Sequence, residues 1–278
     1  MIQFPFFKAQ TEWLPPENFP DLSKYDEIAI DLETKDPDLV KMGSGAVAGR
    51  GDVTGIAVAV KGWSAYYPIA HEGGGNMDRK KVLTWFQSVL NTESIKIFHN
   101  AMYDVCWIRA LGLKINGKII DTMIAAAIVD ENQMRYDLNS CSRRYVGYGK
   151  DESALYQAAK DWGVDAKAEM YKLPAMYVGA YAEKDAELTY ELWQELKKEI
   201  LHQDLNSIFE LEIELFPCLV DMRFLGVRVD VEEAHKLKEE LHTEEKELLQ
   251  KIKKETQVDV QIWAARSIAQ VFEKLRLP

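Results

Sequence analysis

The stretch Tyr25-Asp-Glu-Ile-Ala-Ile-Asp-Leu-Glu-Thr34 decides the fold. Ile28 and Ile30 are strand formers set between polar residues, so residues 25–34 read as a short buried strand. Its last residues include Asp31 and Glu33, and side chains two apart in a strand share a face. Two carboxylates therefore leave the end of an apolar strand side by side. Like charges so placed repel, and each raises the pKa of the other. A divalent cation removes that cost, and hard oxygen ligands suit Mg²⁺ or Mn²⁺ better than zinc. An isolated Asp-x-Glu is as readily a surface pair, so the reading turns on whether further carboxylates follow.

Working outward, residues 1–24 carry Pro5, Pro15, Pro16 and Pro20 and read as an N-terminal arm. Residues 35–52 hold Gly43, Gly45, Gly49 and Gly51 and read as a long loop. Residues 54–60 and 63–68 form a hairpin turning at Lys61-Gly62. His71 and Gly73-Gly74-Gly75 lie in a turn, without the Lys-Ser/Thr of a phosphate loop. A helical stripe covers residues 78–90. A strand at 95–98, a helix at 101–111, a strand at 119–120 and a helix capped by Asp121 follow. Strand and helix alternating after an antiparallel hairpin predict a mixed α/β sheet. Pro174 opens a long helix to about His202, and a second helix covers residues 205–224. Asp230 and Glu233 make a capping-box-like start for a charged helix to Lys254, whose charge run is a solvated face.

Composition narrows the function classes. A net charge of −11 argues against unspecific binding of long duplex DNA. Cys106, Cys141 and Cys218 are widely spaced and read as reduced thiols of a cytoplasmic protein. No apolar run is long enough for a membrane span, and the N-terminus lacks a signal-peptide layout.

Further carboxylates do follow. Asn100-Ala-Met-Tyr-Asp104 succeeds a strand, with Asp104 early in a helix. Tyr181-Ala-Glu-Lys-Asp185 lies on the long helix, where i, i+4 spacing puts Tyr181 and Asp185 on one face. Asp-x-Glu, Asn-x-x-x-Asp and Tyr-x-x-x-Asp in this order resemble the three motifs of the DEDD exonuclease superfamily, tyrosine subclass. The resemblance implies a ribonuclease H-like mixed sheet: three antiparallel strands, then parallel strands with crossover helices, plus a C-terminal helical extension. It also implies metal-dependent 3'-5' removal of nucleoside monophosphates.

Within the subclass, residues 209–230 resemble the segment joining exonuclease to polymerase in A-family (polymerase I-type) DNA polymerases, and residues 267–278 the early thumb. The insertion near residues 43–51 and the run Tyr67–Asn76 resemble bacteriophage members. The expected division is an arm over residues 1–24, the exonuclease over 25–204, and a helical connector with the start of the thumb over 205–278. No palm signature occurs, so the chain is expected not to polymerise.

By resemblance, two divalent ions are held by Asp31, Glu33, Asp104 and Asp185, with Asp104 acting largely through water. Tyr181 and Glu33 orient the nucleophile. Thr34 and Asn100 are expected to hydrogen-bond the terminal nucleotide. Tyr103 either contacts it or packs under its helix, and Arg135 either meets a phosphate or is a plain surface arginine. The expected partners are a single-stranded DNA 3' end and a polymerase module, joined or separate, with no membrane. A ribonuclease D-type exoribonuclease and a silent DNA-binding or docking module are the alternatives.

Overall fold

In the computed structural model, which describes residues 11–277, the opening stretch becomes strand β1 (Glu27–Lys35). The remaining strands are β2 (Asp52–Val60), β3 (Trp63–Pro68), β4 (Ile95–Phe98) and β5 (Ile119–Asp121). They form one sheet in the order β3-β2-β1-β4-β5, with β1 at its centre. The β1–β2 and β2–β3 pairs are antiparallel, whereas β1–β4 and β4–β5 are parallel. This is the mixed sheet that the sequence implied. Burial on both faces explains why β1 reads as an apolar run rather than an alternating one: Ile28, Ala29 and Ile30 have no exposed surface.

The two faces of β1 and β2 differ in side-chain size. Ile28, Ile30, Ile56 and Val58 pack with Val82, Phe86 and Leu90 of α3 (Arg79–Leu90, after the short helices α1, Leu39–Met42, and α2, Gly45–Ala48). The same layer includes Val105 and Ile108 of α4 (Ala101–Ala110). On the opposite face the apolar residues of β1 and β2 are small, Ala29, Ala57 and Ala59, and they meet a second apolar layer. That layer is built from α5 (Thr122–Val129), α6 (Leu138–Tyr145), α7 (Ser153–Trp162) and above all α8 (Ala175–His202). Small side chains on both partners, Ala29 and Ala57 with Ala182 and Ala186, let the long helix come close to the sheet.

α8 is also tied to the start of β1. Glu27 accepts hydrogen bonds from Trp193 Nε1 (3.0 Å), Gln194 Nε2 (2.9 Å) and Lys197 Nζ (3.0 Å). Burial works against its ionisation, and these donors overcome it and hold its pKa below the usual range. At the hairpin end, Tyr66 Oη bonds His71 Nε2 (2.6 Å), and His71 Nδ1 bonds the Leu173 carbonyl just before α8 (3.0 Å). His71 is thus a buried structural residue of its loop.

Some expectations need amendment. Residues 35–52 are not a plain loop, because α1 and α2 lie within them. Gly45 allows the turn: a Cβ there would sit 2.2 Å from the Arg50 carbonyl oxygen. Of the arm expected over residues 1–24, residues 1–10 lie outside the described residues. Beyond them, Leu22 is buried, Trp85 Nε1 donates to the Pro20 carbonyl (2.8 Å), and Phe19 stacks on Tyr67.

The chain divides into two compact units, Met1–Leu225 and Gly226–Pro278. Helix α9 (Asn206–Leu225), read from sequence as connector, lies in the first, where Phe209 stacks on Trp193. The second unit holds α10 (Val231–Thr256), capped by Asp230 accepting from Glu233 N (3.0 Å), and α11 (Ala265–Leu275). Among the described residues, no helix is long and apolar enough to cross a membrane.

Gly55 pairs with Glu33 across the sheet, and a Cβ on it would lie 2.0 Å from Tyr66 Oη. Tyr66 is wholly buried and cannot swing away. Gly55→Ala should therefore lower stability by about 1–3 kcal/mol through overpacking, read as a lower urea midpoint with an unchanged slope.

Candidate active site

The odd-numbered residues of β1 (Glu27, Ala29, Asp31, Glu33) share the face that α8 covers. Opposite Asp31 and Glu33 the neighbouring strand offers only Ala57 and Gly55. The Tyr66 ring lies over Gly55, and Asp185 of α8 takes the space beside the two acids, with 5% of its surface exposed. Carboxylate oxygens of Asp31, Glu33 and Asp185 all lie within 4.8 Å of one another. The structure therefore brings Asp185 to the Asp31–Glu33 pair from far along the chain.

The electrostatics match such crowding. Burial and then the Asp185 charge push the Asp31 carboxyl up to about 7. Glu33 is raised well above the usual range by burial, then by Asp31 and Asp185. Burial also raises Asp185, against the opposing pull of Lys150. Asp185 Oδ1 is buried and has no hydrogen-bond partner. An orphaned carboxylate oxygen beside two further acids is costly unless a cation meets it. All the donors are hard oxygens, a set that fits Mg²⁺ or Mn²⁺.

Asp104 stands outside this trio. It is buried in the first turn of α4, and its Oδ1 accepts from the Leu32 N–H of β1 at 3.3 Å. Burial and then the nearby Asp31 charge raise its pKa well above the usual range. Asp121 sets the start of α4. It accepts from the backbone N–H groups of Asn100 (3.0 Å) and Ala101 (2.8 Å), and from Met123 N of α5 (2.9 Å). One carboxylate thus caps two helices.

Asn100 precedes α4 with φ of 66°, and its side chain makes no capping bond. Thr34 Oγ1 and Tyr103 Oη are 2.6 Å apart, and Tyr103 Oη donates to Asp36 Oδ2 at 3.3 Å. Tyr103 also sits edge-on to Trp107, so it packs with its own helix. Arg135 is exposed on the turn before α6, with Asp137 as a charge neighbour.

Tyr181 lies one turn before Asp185 on α8, and burial followed by the Asp185 charge raises its pKa far above the usual range. Two lysines that sequence reasoning passed over meet it. Lys150 Nζ donates to Tyr181 Oη (2.8 Å) and to Asp185 Oδ2 (2.7 Å). Lys167 Nζ donates to Tyr181 Oη at 2.9 Å. Both come from irregular segments flanking α7, where no periodic spacing marks them. The one available signal is the position of Lys150 beside Gly149 and Asp151, which is too common to single out.

A family model described as 3'-5' exonuclease matches residues 8–201. A DNA-directed DNA polymerase of Pseudomonas phage M6 is 35% identical over 244 residues, covering 82% of this chain and 36% of that protein. DNA polymerase I of Pseudomonas aeruginosa is 28% identical, covering 75% of this chain and 22% of that protein. The chain thus spans about a third or less of the length of these relatives. Among solved structures, the POL domain of Pol1 from M. smegmatis, in complex with DNA primer-template and dNTP, aligns with a TM-score of 0.62 at 16% identity. That alignment covers 92% of this chain and 39% of the other. Brucella melitensis NrnC with bound Mg²⁺ gives 0.52 at 17% identity, covering 77% and 92%. These two show a common fold. With the matched region spanning every motif from Asp31 to Asp185, the chain belongs to the 3'-5' exonuclease family of A-family DNA polymerases.

Proposed function

We propose that this chain hydrolyses the terminal phosphodiester at the 3' ends of single-stranded or frayed DNA, releasing nucleoside 5'-monophosphates, as the proofreading part of a replicative system. The observation that carries the reading is the meeting of Asp31, Glu33 and Asp185 within 4.8 Å around a carboxylate oxygen with no partner. Asp31, Glu33, Asp104 and Asp185 would hold two divalent ions, Mg²⁺ or Mn²⁺. When bound, such ions lower the pKa of a water nucleophile and offset charge on the departing 3' oxygen.

The side chains do the rest. Tyr181 and Glu33 orient the attacking water. With its pKa raised by burial, Tyr181 stays protonated and is no general base. Thr34 and Asn100, near the strand end and the start of α4, take the terminal nucleotide, and Tyr103 holds the Thr34 hydroxyl from its own helix. Arg135 meets a phosphate. Selectivity for mispaired ends comes from strand separation, which a mismatch makes cheap. Synthesis belongs to a polymerase module, covalently joined or separate, in the cytoplasm of a bacterial host.

On a single-stranded DNA oligonucleotide with Mg²⁺, Asp31→Ala and Asp185→Ala should each abolish 3' shortening while leaving the circular dichroism spectrum unchanged. Chelator should silence the wild type. Near-normal turnover by either variant would sink the assignment, and faster shortening of RNA of the same sequence would favour the exoribonuclease reading. Tyr181→Phe should slow turnover by about 10–100-fold, the rate equivalent of losing one hydrogen bond to a charged group, without abolishing it.

The crowded acids also predict a pH effect on stability in chelator. Asp31 titrates near 7 when folded and near the ordinary 3.8 when unfolded. Between those values the folded chain binds the extra proton, so stability falls as pH rises through that window. Asp31→Asn should therefore melt higher than wild type at pH 8, and the gain should shrink as pH falls from about 7 toward 4.

A further inference from the structure

We propose that Lys150 and Lys167 are positioning residues that act through Tyr181, making its hydroxyl a one-way hydrogen-bond donor. The role of Tyr181 in turnover rests on the exonuclease reading; the contact itself does not. A phenol oxygen has two lone pairs and one hydrogen, and an ammonium can only donate. Lys150 Nζ and Lys167 Nζ both donate to Tyr181 Oη, at 2.8 and 2.9 Å, so both lone pairs are engaged. The two nitrogens also lie 4.4 and 4.5 Å from the ring centroid, close enough for a cation–π attraction.

The arrangement is built rather than incidental. Lys150 is only 10% exposed, an unusual burial for a lysine, and its second bond goes to Asp185 Oδ2. Glu152 ties the pair together, 3.5 Å from Lys150 and 2.5 Å from Lys167. The segments on either side of α7 thus close on the one face of α8 that carries Tyr181 and Asp185.

The chemical consequence is directional. With its acceptor positions taken, Tyr181 cannot receive a hydrogen bond from an attacking water. It can only give its own hydrogen to an oxygen, and this suits an oxygen that is already an anion or becoming one. The lysines thereby fix which way the phenol faces and exclude the orientation in which it would compete for the proton of the nucleophile. The alternative is that the lysines contact substrate phosphates directly and owe nothing to Tyr181.

A double-mutant cycle separates these. Wild type, Lys167→Met, Tyr181→Phe and the double variant are assayed on a single-stranded DNA oligonucleotide with Mg²⁺. Lys167→Met should lower kcat about 10-fold, as expected for losing one charge-assisted hydrogen bond, with KM nearly unchanged. In the Tyr181→Phe background the same change should cost less than about 2-fold. An equal loss in both backgrounds, or a loss carried by KM, would overturn the proposal. Lys150→Met should likewise lose less in the Phe background than in the Tyr background, keeping the part due to Asp185; equal losses would again overturn it. The cycle is repeated on urea midpoints, which need no turnover. Shifts for positions 167 and 181 should be non-additive, and additive shifts would refute the clamp. A wild-type chain that cleaves nothing would sink the nuclease reading, and the midpoint cycle would still decide the clamp.

Discussion

The whole site depends on how near α8 can come to β1. A helix seated on a sheet of valines and isoleucines stands off by the length of those side chains. Here the two strands nearest the acids, β1 and β2, offer Ala29, Ala57 and Ala59, met by Ala182 and Ala186, while larger residues such as Tyr66 and Ile97 lie on the flanking strands. Close seating lets an aspartate on the helix share space with an aspartate and a glutamate on the strand. The apolar layers on both sides of the sheet supply the stability that holds these charges together. The repulsion among them is a local cost carried by a core that is otherwise well packed.

Two kinds of element build the active face. The acids stand on regular structure: a central strand, the first turn of α4 and the middle of α8. The cations stand on irregular chain, in the segments around α7. Regular elements fix side chains within narrow limits, as the spacing of metal-ligating groups requires. Irregular segments carry the groups that shape hydrogen bonding around them. Asp121 works within the regular part. It bonds backbone donors of both α4 and α5, and so sets where Asp104 stands without joining the acids itself.

What the sequence made legible follows from periodicity. Asp31 and Glu33 share a face because strands repeat every two residues. Tyr181 and Asp185 share one because helices nearly repeat every four. The antiparallel hairpin and the later parallel strands were readable from turn residues and strand–helix alternation. Lys150 and Lys167 obey no such rule, because their approach to Tyr181 is set by the path of a connecting segment. The helices α1 and α2 were hidden by glycines that signal a loop. There the glycine serves a close approach, with Gly45 beside the Arg50 carbonyl. Asp121 was read as a cap for one helix, and nothing local showed that it also serves a second.

The clasp on Glu27 reaches beyond its own end of the strand. Trp193, Gln194 and Lys197 grip β1 at its start, while Asp185 lies over its far half. The clasp anchors α8 on the strand about two helical turns from Asp185. The distance between the acids is therefore set by bonds made well away from them, and loosening Glu27 would be felt where no substituted atom lies.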